Sequence, residues 1–164
     1  MNGPAVTDPA GIFNWRRLDD RITTSGQPSE AELASVRDLG VENVINLALH
    51  SHEKALADEA ATVSGLGMVY THIPVDFDHP TEDDYQRFCA AIAAAAGAPV
   101  HVHCIVNARV TAFLYRYQAE VLGRSDAEAR VLIESVWRPG GVWADFIGDA
   151  DGAGRTHQSA RRDY

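Results

Sequence analysis

Short runs rich in Val and Ile alternate along this chain with longer segments whose apolar residues recur every three or four positions. That alternation is the strongest constraint on the fold, because strands joined by helix-length connections pair in parallel. "RITTSGQPS" (21–29) reads as a short strand and a turn. "VENVINLAL" (41–49), "MVYTHIPV" (68–75) and "PVHVHC" (99–104) read as core strands, and near-continuous apolar composition is what burial on both faces requires. Between them, Ser29 and Glu32 form a capping box ahead of Leu33, Val36 and Leu39, and Gly40 is placed to end that helix. Residues 53–66 carry Leu56, Ala60 and Val63 on one face. Thr81 is positioned to cap a helix whose stripe is Tyr85, Phe88, Cys89 and Ile92. A further helix over about 109–122 carries Val110, Phe113, Leu114, Tyr117 and Val121, and Ser125 with Glu128 boxes the last one.

The expected architecture is a single α/β domain over residues 12–148, with a mainly parallel central sheet flanked by helices on both faces. A length of 164 residues fits one domain with a proper core. Residues 1–11 are expected to be loose and residues 149–164 to form a flexible tail, since neither carries an apolar period.

Apolar residues make up 46% and charged residues 23%, the profile of a soluble globular protein. The net charge of −9 argues against a nucleic-acid or anionic-membrane surface, while leaving room for a local arginine site. No apolar run is long enough to span a bilayer, and the N-terminus shows no signal-peptide pattern. The two cysteines, Cys89 and Cys104, form at most one disulfide, so a cytoplasmic, reduced protein is the expectation.

The passage "VHVHCIVNARVTAF" (100–113) concentrates the chemistry. A strand ends at His103, a tight loop "CIVNAR" follows, and a helix begins. In α/β sheets ligands bind beyond the carboxyl ends of strands, which is where Cys104 falls. Backbone N–H groups in such a turn, backed by a helix N-terminus, favour an oxyanion and equally a thiolate. Arg109, expected at the open end of the sheet and not in the core, adds two parallel donors suited to a phosphate or sulfate. The plainer alternative is that Cys104 fills space and Arg109 is a solvated residue of the first turn.

These residues, with "SGQPSEAEL" (25–33), "GVENVINLAL" (40–49), "YTHIPVDFDHPTEDD" (70–84) and "VHCIVNARVTAFLYRY" (102–117), resemble the bacterial phosphatase-like family related to protein tyrosine and dual-specificity phosphatases, the beta-lactamase-hydrolase-like phosphatase group. The resemblance covers about residues 12–148 and implies a cysteine-phosphatase fold. It implies Cys104 as nucleophile, forming a phosphocysteine intermediate, with His103 supporting the loop. Ile105, Val106, Asn107, Ala108, Arg109, Val110 and Thr111 would bind the phosphoryl group. An aspartate on the "VDFDHPT" loop would be the general acid, Asp76 before Asp78 because Asp76 follows the strand directly.

The chain departs from the usual tyrosine-phosphatase pattern in three ways. Such phosphatases place one more residue between cysteine and arginine than the four found here, Ile105 to Ala108. The usual loop glycines are absent, although Asn107 tolerates left-handed backbone angles. Thr111 stands two residues after Arg109 instead of directly after it. A rhodanese-like sulfurtransferase is the rival enzyme, and a module that binds phosphate or another anion without turnover is the rival outside catalysis.

His101 and His103 share a strand face, and His50 and His52 have the same spacing, but no third and fourth ligand completes a zinc set. No metal and no cofactor is expected, and the expected partner is a phosphorylated substrate of unspecified type. His50, His52 and Glu53 are placed where they can touch that substrate. Cys89 is assigned to the core. Trp137 and Trp143 are expected to pin the C-terminal segment onto the sheet, with a wall of the site as the other option.

Overall fold

A computed structural model describes residues 7–157. Five strands form one sheet: β1 (Arg16–Arg17), β2 (Ile22–Ser25), β3 (Asn43–Asn46), β4 (Val69–His72) and β5 (Val100–His103). Their order is β1-β2-β5-β3-β4, and only β1 runs antiparallel. The helices are α1 (Glu30–Asp38), α2 (Glu59–Gly65), α3 (Glu82–Ala94), α4 (Ala108–Glu120), α5 (Asp126–Glu134) and α6 (Gly141–Phe146). The single α/β domain with a mainly parallel sheet is therefore as expected. Among the described residues no helix is long and apolar enough to cross a membrane.

The capping residues act as their side chains dictate. Ser29 closes a capping box with Glu32, Thr81 accepts from the Asp84 N–H at 3.1 Å, and Ser125 accepts from the Glu128 N–H at 3.2 Å. The segment 53–66 is a helix only from Glu59 onward, because Asp58 supplies the cap, accepting from the Ala61 N–H at 3.1 Å. Before that cap, the Lys54 N–H is drawn to His52 Nδ1 at 3.0 Å. Turns therefore replace the expected first helical turn.

Strand alternation sends side chains into two separate cores. On β3, Val44 joins Leu33, Val36, Val63 and Met68 on the α1/α2 face, while Ile45 joins Phe88, Phe113 and Ile133 on the other. On β5, Val100 and Val102 belong to the second core, whereas His101 and His103 point to the opposite face, both fully buried. His101 is satisfied there by Thr23 and Ser25, each 2.8 Å from a ring nitrogen, and Trp15 stacks on it. Burial drives its pKa well below the ordinary imidazole value.

Both ends of the described chain are held. Asp8 pairs with Arg17 at 2.6 Å. Beyond α6, Arg155 binds Asp149 at 2.7 Å and the Pro139 carbonyl at 3.1 Å, and His157 Nδ1 accepts from the Gly140 N–H at 2.9 Å. The stretch 149–157, expected to begin a flexible tail, thus packs back on the domain through polar contacts that carry no apolar period. Residues 1–6 and 158–164 lie outside the described residues.

At the carboxyl end of the sheet the β2–α1 turn lies against the β5–α4 loop with no room to spare. A Cβ on Gly26 would sit 2.5 Å from the Ile105 carbonyl oxygen and 2.8 Å from the Phe13 ring. Gly26→Ala is expected to destabilise the protein by about 1–3 kcal/mol through overpacking. Gly11→Ala, where nothing lies within 4 Å of the new Cβ, should leave the thermal midpoint unchanged. Equal midpoints for the two variants would show that the turn and the loop are not in forced contact.

Candidate functional site

The loop from Cys104 to Asn107 leaves β5 and turns into α4. Its carbonyls are all occupied. That of Cys104 accepts from His103 Nδ1 at 3.1 Å, that of Ile105 from the Gln27 N–H at 3.0 Å, and that of Val106 from Asn14 Nδ2 at 2.9 Å. The Asn107 carbonyl accepts from the amide and hydroxyl of Thr111, and the Ala108 carbonyl from that same hydroxyl. By contrast, the backbone N–H groups of Ile105 through Val110 have no hydrogen-bond partner among the described residues. An arrangement with every acceptor used and its donors unpaired is complementary to an anion.

Asn107 makes this turn possible. Its φ of 72° lies in the left-handed region, where asparagine is among the few non-glycine residues tolerated. Its side-chain amide donates to the Asn14 carbonyl and to the Thr24 hydroxyl, both at 2.9 Å. Asn107 thereby holds the Asn14 backbone, while the Asn14 side chain holds the Val106 carbonyl next to Asn107.

His103 is also fixed at both nitrogens. Beyond the Cys104 carbonyl, its Nε2 lies 2.6 Å from Glu59 Oε2. Glu59 is only 2% exposed, and its other oxygen accepts from Gln27 Nε2 at 2.8 Å. Burial by itself would raise the Glu59 pKa, but the hydrogen bonds from His103 and Gln27 outweigh it and hold the carboxyl below its usual range.

Arg109 differs from expectation. It is 2% exposed, not at an open rim, and its Nη1 donates to the Val75 carbonyl at 2.9 Å. Nε and Nη2, the edge that offers two parallel donors, are buried and have no partner among the described residues. Arg109 also lines a cavity of about 240 Å³ with Ser51, His52, Asp76, Phe77 and Asp78. A hollow of about 450 Å³ between β1 and α5 is larger but contains none of these groups, so size does not locate the site. The structure therefore gathers Arg109, Asp76 and Asp78 from segments more than twenty residues apart.

The two aspartates are not equivalent. Asp76 Oδ1 accepts from the Asp78 N–H at 2.9 Å, and Oδ2 lies 3.4 Å from His79. The Asp78 amide first, then His79 and Arg109, hold the Asp76 carboxyl below its ordinary pKa. Asp76 thus serves as the acceptor that closes the Asp76–Asp78 turn. The Asp78 carboxylate has no hydrogen-bond or ion-pair partner among the described residues and faces the same cavity.

Other sequence expectations are redistributed. Thr111 cannot bind a ligand, since its hydroxyl is spent on the Asn107 and Ala108 carbonyls and receives the Trp137 indole N–H at 3.1 Å. The Val110 side chain is core, which leaves only its unpartnered amide to bind a ligand. His52 lines the cavity, but His50 instead stacks on His72 at 3.7 Å and bonds the Tyr70 hydroxyl. Glu53 is exposed and not among the cavity residues. Cys89 packs on the main core, half-buried, and burial raises its thiol pKa. Trp143 does more than pin the C-terminal segment: its indole donates to the Phe77 carbonyl at 2.6 Å, and both tryptophans flank the Phe77 ring.

With this geometry in place, comparison with known proteins is decisive for the family. Residues 14–120 match the family described as beta-lactamase hydrolase-like protein, phosphatase-like domain. The chain belongs to that family. It is 33% identical over 91 residues to the beta-lactamase hydrolase-like protein of Agrobacterium fabrum, covering 54% of this chain and 21% of that protein. The chain thus spans about a fifth of that curated relative's length. A crystal structure of a DUF442 protein from Shewanella putrefaciens, described as a candidate phosphatase, superposes with a TM-score of 0.75 at 31% identity. That superposition covers 84% of this chain and 90% of the other. TpbA of P. aeruginosa, solved in complex with pTyr, superposes with a TM-score of 0.63 at 20% identity, over 93% of this chain and 86% of its own. At that identity the likeness speaks for the fold alone.

Sequence reasoning missed Asn14, Gln27 and Glu59. A charged residue on a short helix reads as solvated, and only the burial of α2's first turn against His103 shows otherwise. The single usable signal was His103 itself, a polar residue in a buried strand that must find a partner.

Asn107→Gly is expected to keep the loop, because glycine adopts the left-handed angle freely. Asn107→Ala should lower stability by at least about 1–2 kcal/mol, the cost of that angle for an ordinary residue. Denaturant titration of the two variants checks this. Alanine and glycine variants of equal stability would mean that the left-handed turn is not under constraint.

Proposed function

We propose that this domain hydrolyses a phosphate monoester through Cys104. The observation that carries the reading is the two-donor edge of Arg109, buried and unpaired, together with the unpartnered amides of the loop that Cys104 begins. A tetrahedral dianion is the group that satisfies both sets of donors at once. The family assignment supports the same chemistry.

In this mechanism the Cys104 thiolate attacks phosphorus, the S–P bond forms and the ester P–O bond breaks. Arg109 and the loop amides hold the non-bridging oxygens throughout, where charge builds in the transition state. Asp78 gives its proton to the leaving oxygen. Water then attacks the phosphocysteine, the S–P bond breaks, and Asp78 takes the proton back as phosphate and thiolate are restored. Asp78 takes precedence over Asp76 because the Asp76 carboxylate is already committed to the Asp78 amide.

A second reading has one observation in its favour. Cys104 is fully covered, so a module that holds an anion without turnover is also compatible with the loop. Assay of p-nitrophenyl phosphate separates the two. Cys104→Ser should abolish hydrolysis while retaining phosphate affinity, whereas a wild type that binds phosphate without hydrolysing it supports the module. Thiosulfate-to-cyanide transfer by the wild type would instead favour the sulfurtransferase.

The acid is tested with leaving groups. Asp78→Asn should slow an alkyl phosphate by roughly 100-fold or more, the range for general acid catalysis, and p-nitrophenyl phosphate far less. If Asp76→Asn shows that pattern and Asp78→Asn does not, the roles are reversed. Arg109→Lys should weaken phosphate binding by about 1–3 kcal/mol, as expected for a lost charge-assisted hydrogen bond. Because Arg109 is buried and bonded to Val75, the melting temperature should fall as well.

A further inference from the structure

We propose that Glu59 is a positioning residue of the cysteine loop, acting through His103 and Gln27 to turn two consecutive carbonyls away from the anion site. The inference rests on the reading of that loop as an anion cup. Glu59 Oε2 meets His103 Nε2 at 2.6 Å, and His103 Nδ1 meets the Cys104 carbonyl at 3.1 Å. Glu59 Oε1 accepts from Gln27 Nε2 at 2.8 Å, and the Gln27 N–H reaches the Ile105 carbonyl at 3.0 Å. One buried carboxylate on α2 thus anchors both residues that hold the first two carbonyls of the loop.

The hydrogen-bond inventory also assigns a charge. A backbone carbonyl only accepts, so Nδ1 of His103 carries a hydrogen. A carboxylate only accepts, so Nε2 carries one too. The ring bonded to the Cys104 carbonyl is then an imidazolium, paired with the Glu59 carboxylate inside the protein. An isolated cation at that depth is costly, and Glu59 supplies the compensating charge. Without Glu59 the ring has no reason to keep its second proton, and the positive charge one residue from Cys104 is lost. The other ionisable groups around this pair do not replace Glu59. His101 stacks 6.3 Å from His103 and is neutral by burial, and His50 and His72 are cationic neighbours when charged.

The test uses sulfate, a tetrahedral anion whose charge does not change near neutral pH, and the 15N signals of the His103 ring. In the wild type at pH 7 both ring nitrogens should be protonated, a measurement that needs no variant. A ring with one bare nitrogen overturns the charge assignment, and with it the role of Glu59. Glu59→Gln should leave a neutral His103 ring and weaken sulfate binding by about tenfold or more. His103→Asn removes one of the two groups through which Glu59 acts and leaves the Gln27 arm, so adding Glu59→Gln to that variant should cost clearly less affinity than it costs in the wild type. A full additional loss in the double variant, or unchanged affinity in Glu59→Gln, would overturn the proposal. If the wild type itself binds no sulfate, it is the anion-site reading that fails, and the ring signals still decide the charge pair.

Discussion

Five carbonyls, from Cys104 to Ala108, are each held by a donor, and the rest of the site depends on that occupancy. A tight turn presents either its oxygens or its N–H groups to its concave side. Tying the oxygens down from outside leaves the N–H groups as the only possible lining. The donors come from the strand itself, from the turn after β2, from the residues before β1 and from α4. The loop is therefore not locally determined. It exists because four parts of the fold converge at the carboxyl end of the sheet, and Gly26 is needed so that the β2–α1 turn can come close enough.

The electrostatics follow from this geometry. The chain carries a net charge of −9, yet the site concentrates positive potential by burying Arg109 with two donors unmatched. Burial makes those donors worth more to an anion than the same arginine at the surface, because water does not compete for them. A buried guanidinium with unpaired groups also weakens the fold when nothing is bound. Arg109 retains one bond, to the Val75 carbonyl, which fixes the plane of the fork. The Phe77 ring, 5.9 Å from the guanidinium carbon, closes one side.

The features that were legible in the sequence are those set by local rules. The capping residues Ser29, Thr81 and Ser125 act where their spacing to an acidic residue places them, and Val44 and Ile45 divide between two cores as a period of two requires. Cys104 and Arg109 stood out as candidates because of the strand–loop–helix passage that holds them, whereas the aspartates were named through the family resemblance. Glu59 was not visible, since 44 residues separate it from His103 and nothing near α2 announces a buried carboxylate. Arg109's burial was misjudged for a related reason. A first-turn arginine is normally solvated, and only the approach of Val75 and Phe77 from the preceding loop covers it. The engagement of Asp76 by the Asp78 amide was not legible either, since no residue pattern specifies that backbone hydrogen bond.

The loop that carries those aspartates is itself governed from the end of the chain. Phe77 sits between them, its carbonyl bound by Trp143 and its ring packed by Trp137, Trp143 and His157. Trp137 in turn is tied to Thr111 on α4, the helix that begins at the cysteine loop. A continuous set of contacts therefore runs from the α4 hydroxyl through two tryptophans to the residue between the candidate acids. The hydroxyl that seemed a ligand for phosphate serves this chain of contacts instead. Residues 121–157 lie beyond the stretch matched to the family, yet Trp137, Trp143 and His157 from that stretch pack on the residue between Asp76 and Asp78. Polar packing of 149–157 thus reaches the candidate site: the Gly140 N–H holds the His157 ring, and that ring packs edge-on against Phe77.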